Sequence, residues 1–130
     1  MSPRDHVVLI EPPGVGEYHA HVYYTPAQRA HARWLRAQLG RRFVVRLGRW
    51  RETPVGPHPR AMFQVAFAPA QFGAVVPFLM LNRGPLDILV HPESGHGHAG
   101  DHAVRSAWLG QPQVLDIPLL EQIDAGHLPA

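Results

Sequence analysis

The sequence contains no cysteine, which excludes a disulfide framework and any thiolate metal site. It also has no apolar run approaching the roughly 20 residues needed to span a bilayer. The longest such run, Phe72 to Leu81, is interrupted by Gly73 and Pro77. At the start, Arg4 precedes Val7-Val8-Leu9-Ile10, but Glu11 follows too soon for a secretory signal. These absences point to a cytoplasmic protein outside the membrane. Only three serines occur, and there is no Gly-x-Ser-x-Gly elbow, no Gly-x-Gly-x-x-Gly, no Walker loop and no His-Glu-x-x-His. Serine hydrolases, nucleotide-binding proteins and zincins are thereby set aside.

Excess charge is small too, at +2 with histidine neutral. The arginines concentrate between Arg29 and Arg60 and form a positive region. Basic residues do not alternate with stacking aromatics as they do in single-strand binders, so we expect no nucleic-acid partner. A solvated face or a small acidic ligand accounts for that charge.

With 45% hydrophobic and 17% charged residues in 130, the chain is globular and long enough to bury a core, and we expect a single domain over 1–130. No repeat or linker divides it. The core is expected over about 17–110, with a loosely attached N-terminal segment carrying a leading strand and a C-terminal tail. Ten histidines are the anomaly. Without cysteine, imidazole is the main soft ligand available.

Glu17 to Tyr24 alternates as a strand does, with Tyr18, Ala20, Val22 and Tyr24 on one face and His19, His21 and Tyr23 on the other. Thr25-Pro26-Ala27-Gln28 has the form of a capping box with proline at the first helical position. The helix is expected to run to Leu39, with Ala27, Ala30, Trp34 and Leu35 facing the core and Gly40 ending it. Phe43 to Trp50 is expected as a second strand and Ala61 to Phe67 as a third, with a proline-rich loop over 53–59 between them. A second helix opens at Pro69 and runs to Leu81, with Pro77 predicting a kink or a late start. Asn82-Arg83-Gly84-Pro85 stops it. Leu86 to His91 is a fourth strand, ended by Pro92, and Asp101 to Leu109 is expected as a short helix.

This order, β-α-β-β-α-β, predicts an α+β fold of ferredoxin-like type: an antiparallel sheet with both helices on one face. The other face needs cover, so we expect a face-to-face homodimer. We expect the first strand to be central, parallel to the third and antiparallel to the fourth. That arrangement gathers His19, His58 and His91 at one edge of the sheet. Parity places His19, His21, Gln64, Asp87, Leu89 and His91 on the open face. Three imidazoles from separate segments suit a metal site. His96, His98 and His102 occupy a glycine-rich segment that reads either as a mobile loop or as a lid lending one imidazole.

Several of these segments resemble the DOPA 4,5-dioxygenase family. They are Tyr18-His19-Ala20-His21-Val22-Tyr23-Tyr24, Pro54-Val55-Gly56-Pro57-His58-Pro59, Met62-Phe63-Gln64-Val65-Ala66-Phe67, Asn82-Arg83-Gly84, Val90-His91-Pro92, and Asp101-His102 followed by Ala107-Trp108-Leu109-Gly110. The likeness runs from about Glu17 to Asp116. It implies a ferredoxin-like dimer that opens catechol rings beside the diol with non-haem Fe(II) and O₂, with family histidines carried to His19, His21, His58 and His91. Another divalent metal such as Zn or Ni can occupy such a site. The loop Gly95-His96-Gly97-His98 departs from the family's acidic pattern.

On that basis His19, His58 and His91 are the expected ligands, with Glu52 as the candidate carboxylate. His21 is the expected acid/base, and it can exchange roles with His19. Tyr23, Gln64 and His102 line the pocket or, for the first two, a dimer interface. Arg46 or Arg51 pairs with a substrate carboxylate or is simply solvated. The rival readings are a non-catalytic protein that binds a metal or small aromatic, and a basic nucleic-acid module.

Overall fold

The computed structural model describes residues 9–129. Most of the expected leading strand lies outside that range, and Leu9 and Ile10 belong to no strand. The elements are β1 (Glu17–Tyr23), α1 (Arg29–Arg42), β2 (Arg46–Leu47), β3 (Met62–Phe67), α2 (Phe72–Asn82), β4 (Asp87–Glu93), α3 (His98–His102), β5 (Ala107–Leu109) and α4 (Ile117–Asp124). Five strands form one antiparallel sheet in the order β2-β3-β1-β4-β5. This is the expected ferredoxin-like α+β arrangement with a fifth strand added at the edge.

The expected parity holds. Ala20, Val22 and Tyr24, with Phe63, Val65, Phe67, Ile88 and Val90, pack against Ala32, Leu35 and Leu39 of α1 and Val75 and Leu79 of α2. The expected direction of β3 does not hold: it runs antiparallel to β1, pairing Tyr18 with Phe67 and Tyr23 with Met62. Helical crossovers join parallel strands. So α1 makes β2 parallel to β1, and the return from β2 reverses β3. His58 therefore leads into the far end of β1, away from His19.

The helices differ from expectation in detail. A 3₁₀ turn over Pro26–Gln28 precedes α1, with the Thr25 N–H donating to Gln28 Oε1 at 3.1 Å. Gly40 does not end α1. A Cβ there would lie 3.1 Å from Leu47 Cδ1, so this glycine lets β2 approach the helix while the helix continues to Arg42. Ala27 and Ala30 are exposed and Trp34 is 44% exposed, whereas Leu35 is buried as expected and forms the inward stripe with Ala32 and Leu39. The second helix starts late, at Phe72, after a 3₁₀ turn at Pro69–Gln71, and continues through Pro77. Gly84, at φ 53°, provides the stop.

The remaining differences follow from β5. The segment expected as a helix over Asp101–Leu109 splits into α3 and a strand that pairs Ala107–Leu109 with Ile88–Val90. Because that pairing ends at Val90, β4 is an edge at Pro92, where a missing N–H is tolerated and the strand continues to Glu93. The expected tail instead forms α4. Its Asp124 accepts from the backbone N–H of His98 at 2.8 Å and of Ala99 at 2.9 Å, at the start of α3.

The chain covers part of its own open face. Tyr23, Met62 and Leu89 are packed under Val55, Trp108 and Leu115, and the Trp108 ring stacks on Tyr23 at 5.8 Å. The Asp116 N–H donates to Pro57 O at 2.9 Å and ties the two covering segments together. The demand for cover that motivates face-to-face pairing is thus met within the chain over this part of the face. No helix among the described residues is long and apolar enough to cross a membrane.

The buried stripe of α1 gives a direct check. Leu35→Ala should lower stability by about 2–5 kcal/mol, and Trp34→Ala by well under half of that. Urea unfolding of both variants measures the difference; equal losses would contradict this orientation of α1.

Candidate metal centre

Four imidazoles meet on the open face. His21, at the middle of β1, is 3% exposed, His58 6%, His91 1% and His102 8%. Their rings are close: His21 to His58 at 4.1 Å, His91 to His102 at 3.9 Å, and His21 to His91 at 5.0 Å between centroids. Each comes from a different element, and each arrival has a local cause. His21 is placed by strand parity opposite Gln64 and Leu89. His91 lies across from His19, one step along β4 from the hydrogen-bonded core. His58 reaches the cluster because its loop turns back at Val55, whose carbonyl accepts the His58 N–H at 3.1 Å, and folds over the sheet. His102 ends α3, which is fixed by Asp124 at its start and by Asp101 within it. Asp101 is 2% exposed and accepts from Ser94 N–H, Ser94 Oγ and Arg105 Nε at 3.0, 2.6 and 2.7 Å. Burial pushes its carboxyl up, but these partners outweigh burial and hold it below the usual range.

Burial holds these imidazoles neutral. It pushes His58 down to about 4 and His91 to about 3, and in both the neighbouring His102 adds to the effect. It lowers His102 as well, and takes His21 well below its ordinary value with further opposition from His58, His91 and His102. A neutral imidazole keeps one lone pair, as a metal ligand must.

Carbonyl acceptors fix three of the four tautomers. His91 Nδ1–H donates to Pro92 O at 3.0 Å, which leaves its Nε2 as an acceptor for His21 Nε2–H at 2.9 Å. His102 Nδ1–H donates to His98 O at 2.8 Å, while His58 Nδ1 and the Tyr23 hydroxyl, 2.6 Å apart, can each donate to the other. Lone pairs remain on His21 Nδ1 and His102 Nε2, and on His58 Nε2 when its Nδ1 carries the proton. The first is a buried polar atom with no partner, a state that normally signals a missing ligand. His21, His58 and His102 can each bring a nitrogen within 4.8 Å of the others. Ring nitrogens tied to carbonyls behind such a set are the usual support of metal-binding histidines. These residues fit a divalent ion with imidazole ligands.

His19, His21 and His91 form a second compact group. There, His19 faces a carboxylate oxygen from each nitrogen, with Glu17 Oε1 2.7 Å from Nε2 and Glu93 Oε1 3.3 Å from Nδ1, so the neutral ring gives its one N–H to a carboxylate and keeps its other nitrogen as a proton acceptor. His19 and Arg46 together hold the Glu17 carboxyl below its usual range.

The other expected site residues divide. Tyr23 is buried against His58, and burial pushes its phenol up, so it stays protonated. Gln64 shares a cavity of about 290 Å³ with His21, His58, Met62, Arg49 and Arg51. Glu52 is not brought to the imidazoles. It lies toward α1, ion-paired with Arg29 at 2.6 Å and bonded to Trp50 Nε1 at 2.8 Å, because Trp50 and Tyr24 turn that stretch toward the helices. Arg46 is paired with Glu17 at 3.0 Å and lines a separate cavity. A larger opening of about 630 Å³, between Glu93, Asp101 and Asp124, contains none of the four buried imidazoles. The full place of His102 in the cluster, and Arg49 in the cavity wall, were missed from sequence. The Asp101-His102 pair, one of the segments that carry the family resemblance, was the signal for the former.

The pattern of the Dopa 4,5-dioxygenase family matches residues 18–119, a span that contains all four imidazoles. The chain belongs to this family. It is 34% identical over 105 residues to a DOPA 4,5-dioxygenase from Amanita muscaria, which covers 74% of this chain and 46% of that protein. It is 39% identical over 119 residues to an uncharacterized 21.2 kDa protein from Botryotinia fuckeliana, covering 83% of this chain and 65% of that one. The chain thus spans about two thirds or less of these family relatives' lengths. A solved structure from Nostoc punctiforme, named a "putative dioxygenase", is 53% identical and superposes with a TM-score of 0.85 over 87% of this chain and 97% of its own.

The buried imidazoles make the metal-free protein acid-sensitive. In the unfolded chain each takes up a proton near pH 6.5, whereas in the folded chain His58 resists to about 4 and His91 to about 3. The unfolded state therefore binds more protons below about pH 6.5, and stability falls as pH falls through that window. The slope is at most about 1.4 kcal/mol per pH unit for each imidazole. Urea unfolding of chelator-treated protein between about pH 7.5 and about pH 5 should show this decline; a flat profile would contradict it.

Proposed function

We propose that this chain is a metal-dependent dioxygenase that opens a catechol ring with O₂, with non-haem Fe(II) as its resident metal. The observation that carries the reading is the orphaned His21 Nδ1 in a cluster where His21, His58 and His102 each bring a ring nitrogen within 4.8 Å of the others, in a domain of a dioxygenase family. Fe(II) held by three imidazoles would supply a Lewis acid and a one-electron redox centre with open positions for a catecholate and O₂.

The protein's own groups have distinct tasks in this reading. His91 accepts the His21 Nε2–H and so fixes the tautomer that exposes Nδ1. Tyr23 does the same for His58 through its hydroxyl oxygen. This keeps His91 in the site as a positioning residue, and takes up the exchange of roles between His19 and His21. His19, between Glu17 and Glu93 at the solvent side of the cluster, receives the catechol proton, and the two carboxylates stabilise the imidazolium that forms. Gln64 and Met62 hold the ring in the cavity. Trp108, stacked on Tyr23, and the covering segment keep bulk water from the back of the site.

Metal analysis and O₂ uptake with a panel of catechols test the reading together. His21→Ala, His58→Ala and His102→Ala should each lose the metal and the yellow ring-opened product. His91→Ala should weaken metal affinity by about 10–100-fold. Full metal content and activity in these variants would overturn the ligand set. A wild-type protein that binds metal and consumes no O₂ with any catechol would instead be a non-catalytic binder.

A further inference from the structure

The histidine cavity has a cationic wall built by a local irregularity of the sheet. Leu47 pairs with Val65, and the next pairing on the same side is Arg51 with Met62. Three residues, Gly48, Arg49 and Trp50, therefore oppose two, Gln64 and Phe63. This is a β-bulge, a device that re-aims side chains beside functional sites. Its effect on parity is specific. Trp50 turns toward the helices and stacks on Phe63 at 5.9 Å, while Arg49 and Arg51 both line the cavity with His21, His58 and Gln64. Gly48 makes room for the bend: a Cβ there would lie 3.1 Å from Gln64 Cβ.

What sets these two arginines apart is that they line the histidine cavity and have no anion there to meet. Arg29 and Arg33 face Glu52, Arg46 faces Glu17, and Arg105 faces Asp101. Among the described residues, neither Arg49 nor Arg51 has a carboxylate within 4.0 Å, and no carboxylate lines the cavity. The imidazoles of the site are neutral, so they do not offset this charge. A carboxylate entering the cavity finds two planar guanidinium forks suited to it. An ammonium group finds only like charge and no acceptor that is ionised.

We propose that Arg49 and Arg51 make this cavity select catechols that carry a carboxylate and no ammonium group, over zwitterionic catechol amino acids and cationic catechol amines. The inference rests on the ring-opening reading for the catechol itself, but the charge selection is a binding property and is measurable without turnover.

The probes are 3,4-dihydroxyphenylacetate, 4-methylcatechol, DOPA and dopamine. Each is measured by anaerobic calorimetry on the metal-loaded protein and by kcat/KM from O₂ uptake. The acid should exceed the uncharged catechol and DOPA by about tenfold or more in both, with dopamine last. In the Arg49→Gln/Arg51→Gln double variant the ratio of acid to uncharged catechol should fall close to one. If that variant does not fold, the single substitutions should each lower the ratio. Equal affinity for acid and amine, a preference for DOPA, or a ratio unmoved by the substitutions overturns the proposal. Charge-ordered binding without ring opening would leave the proposal standing and remove the dioxygenase reading. Ring opening without charge order would do the reverse.

Discussion

The constraint on which this structure depends is that His21 is buried in the middle of the central strand with one ring nitrogen unpaired. β1 is paired on both sides from Tyr18 to Tyr23, to β3 and to β4. The His21 backbone cannot shift without breaking two ladders, so the rest of the site must come to it. Four other segments do: β4 brings His91, the proline-rich loop brings His58, α3 brings His102, and the bulge brings two arginines. An uncharged imidazole at that position is tolerable, whereas a protonated one would face desolvation and three close neighbours of the same kind.

Backbone carbonyls orient two rings of the cluster. Pro92 and His98 accept from two of the imidazoles, and a phenol serves the third. Carbonyls of this sort belong to the strand end and the helix themselves, so they hold each ring with the stiffness of the element behind it. The carboxylates are kept at the margin. Glu17 reaches only the outermost histidine, Glu93 reaches that one and, at 3.8 Å, His91 Nδ1, and Glu52 is spent on arginines and Trp50 toward α1.

Much of this was legible in the amino-acid order because strand period is insensitive to tertiary detail. Alternation alone put Tyr18, Ala20 and Val22 on the core face, and His19, His21, Gln64 and His91 on the other. The reason offered for bringing in His58 was mistaken, since β3 is antiparallel to β1. The residue arrives through a folded loop whose path depends on contacts with Asp116 and Val55, and no local pattern encodes those. The bulge escaped notice for a similar reason: an extra residue in a strand appears only once its partner's register is known. His102 was read only as a pocket or lid residue, because the glycines around it suggest a loose segment. What orders that segment is a buried Asp101 and a cap from Asp124, a residue distant in sequence. The Trp34 expectation failed because helix α1 turns a narrower stripe inward than its apolar residues allow for.

The dependence of α3 on Asp124 ties the imidazole set to a helix outside the sheet. The carboxylate that holds the start of the helix carrying His102 belongs to α4, whereas His21 and His91 are held by the ladders of β1 and β4. Undocking α4 would therefore loosen His102 and leave His21 and His91 where they are.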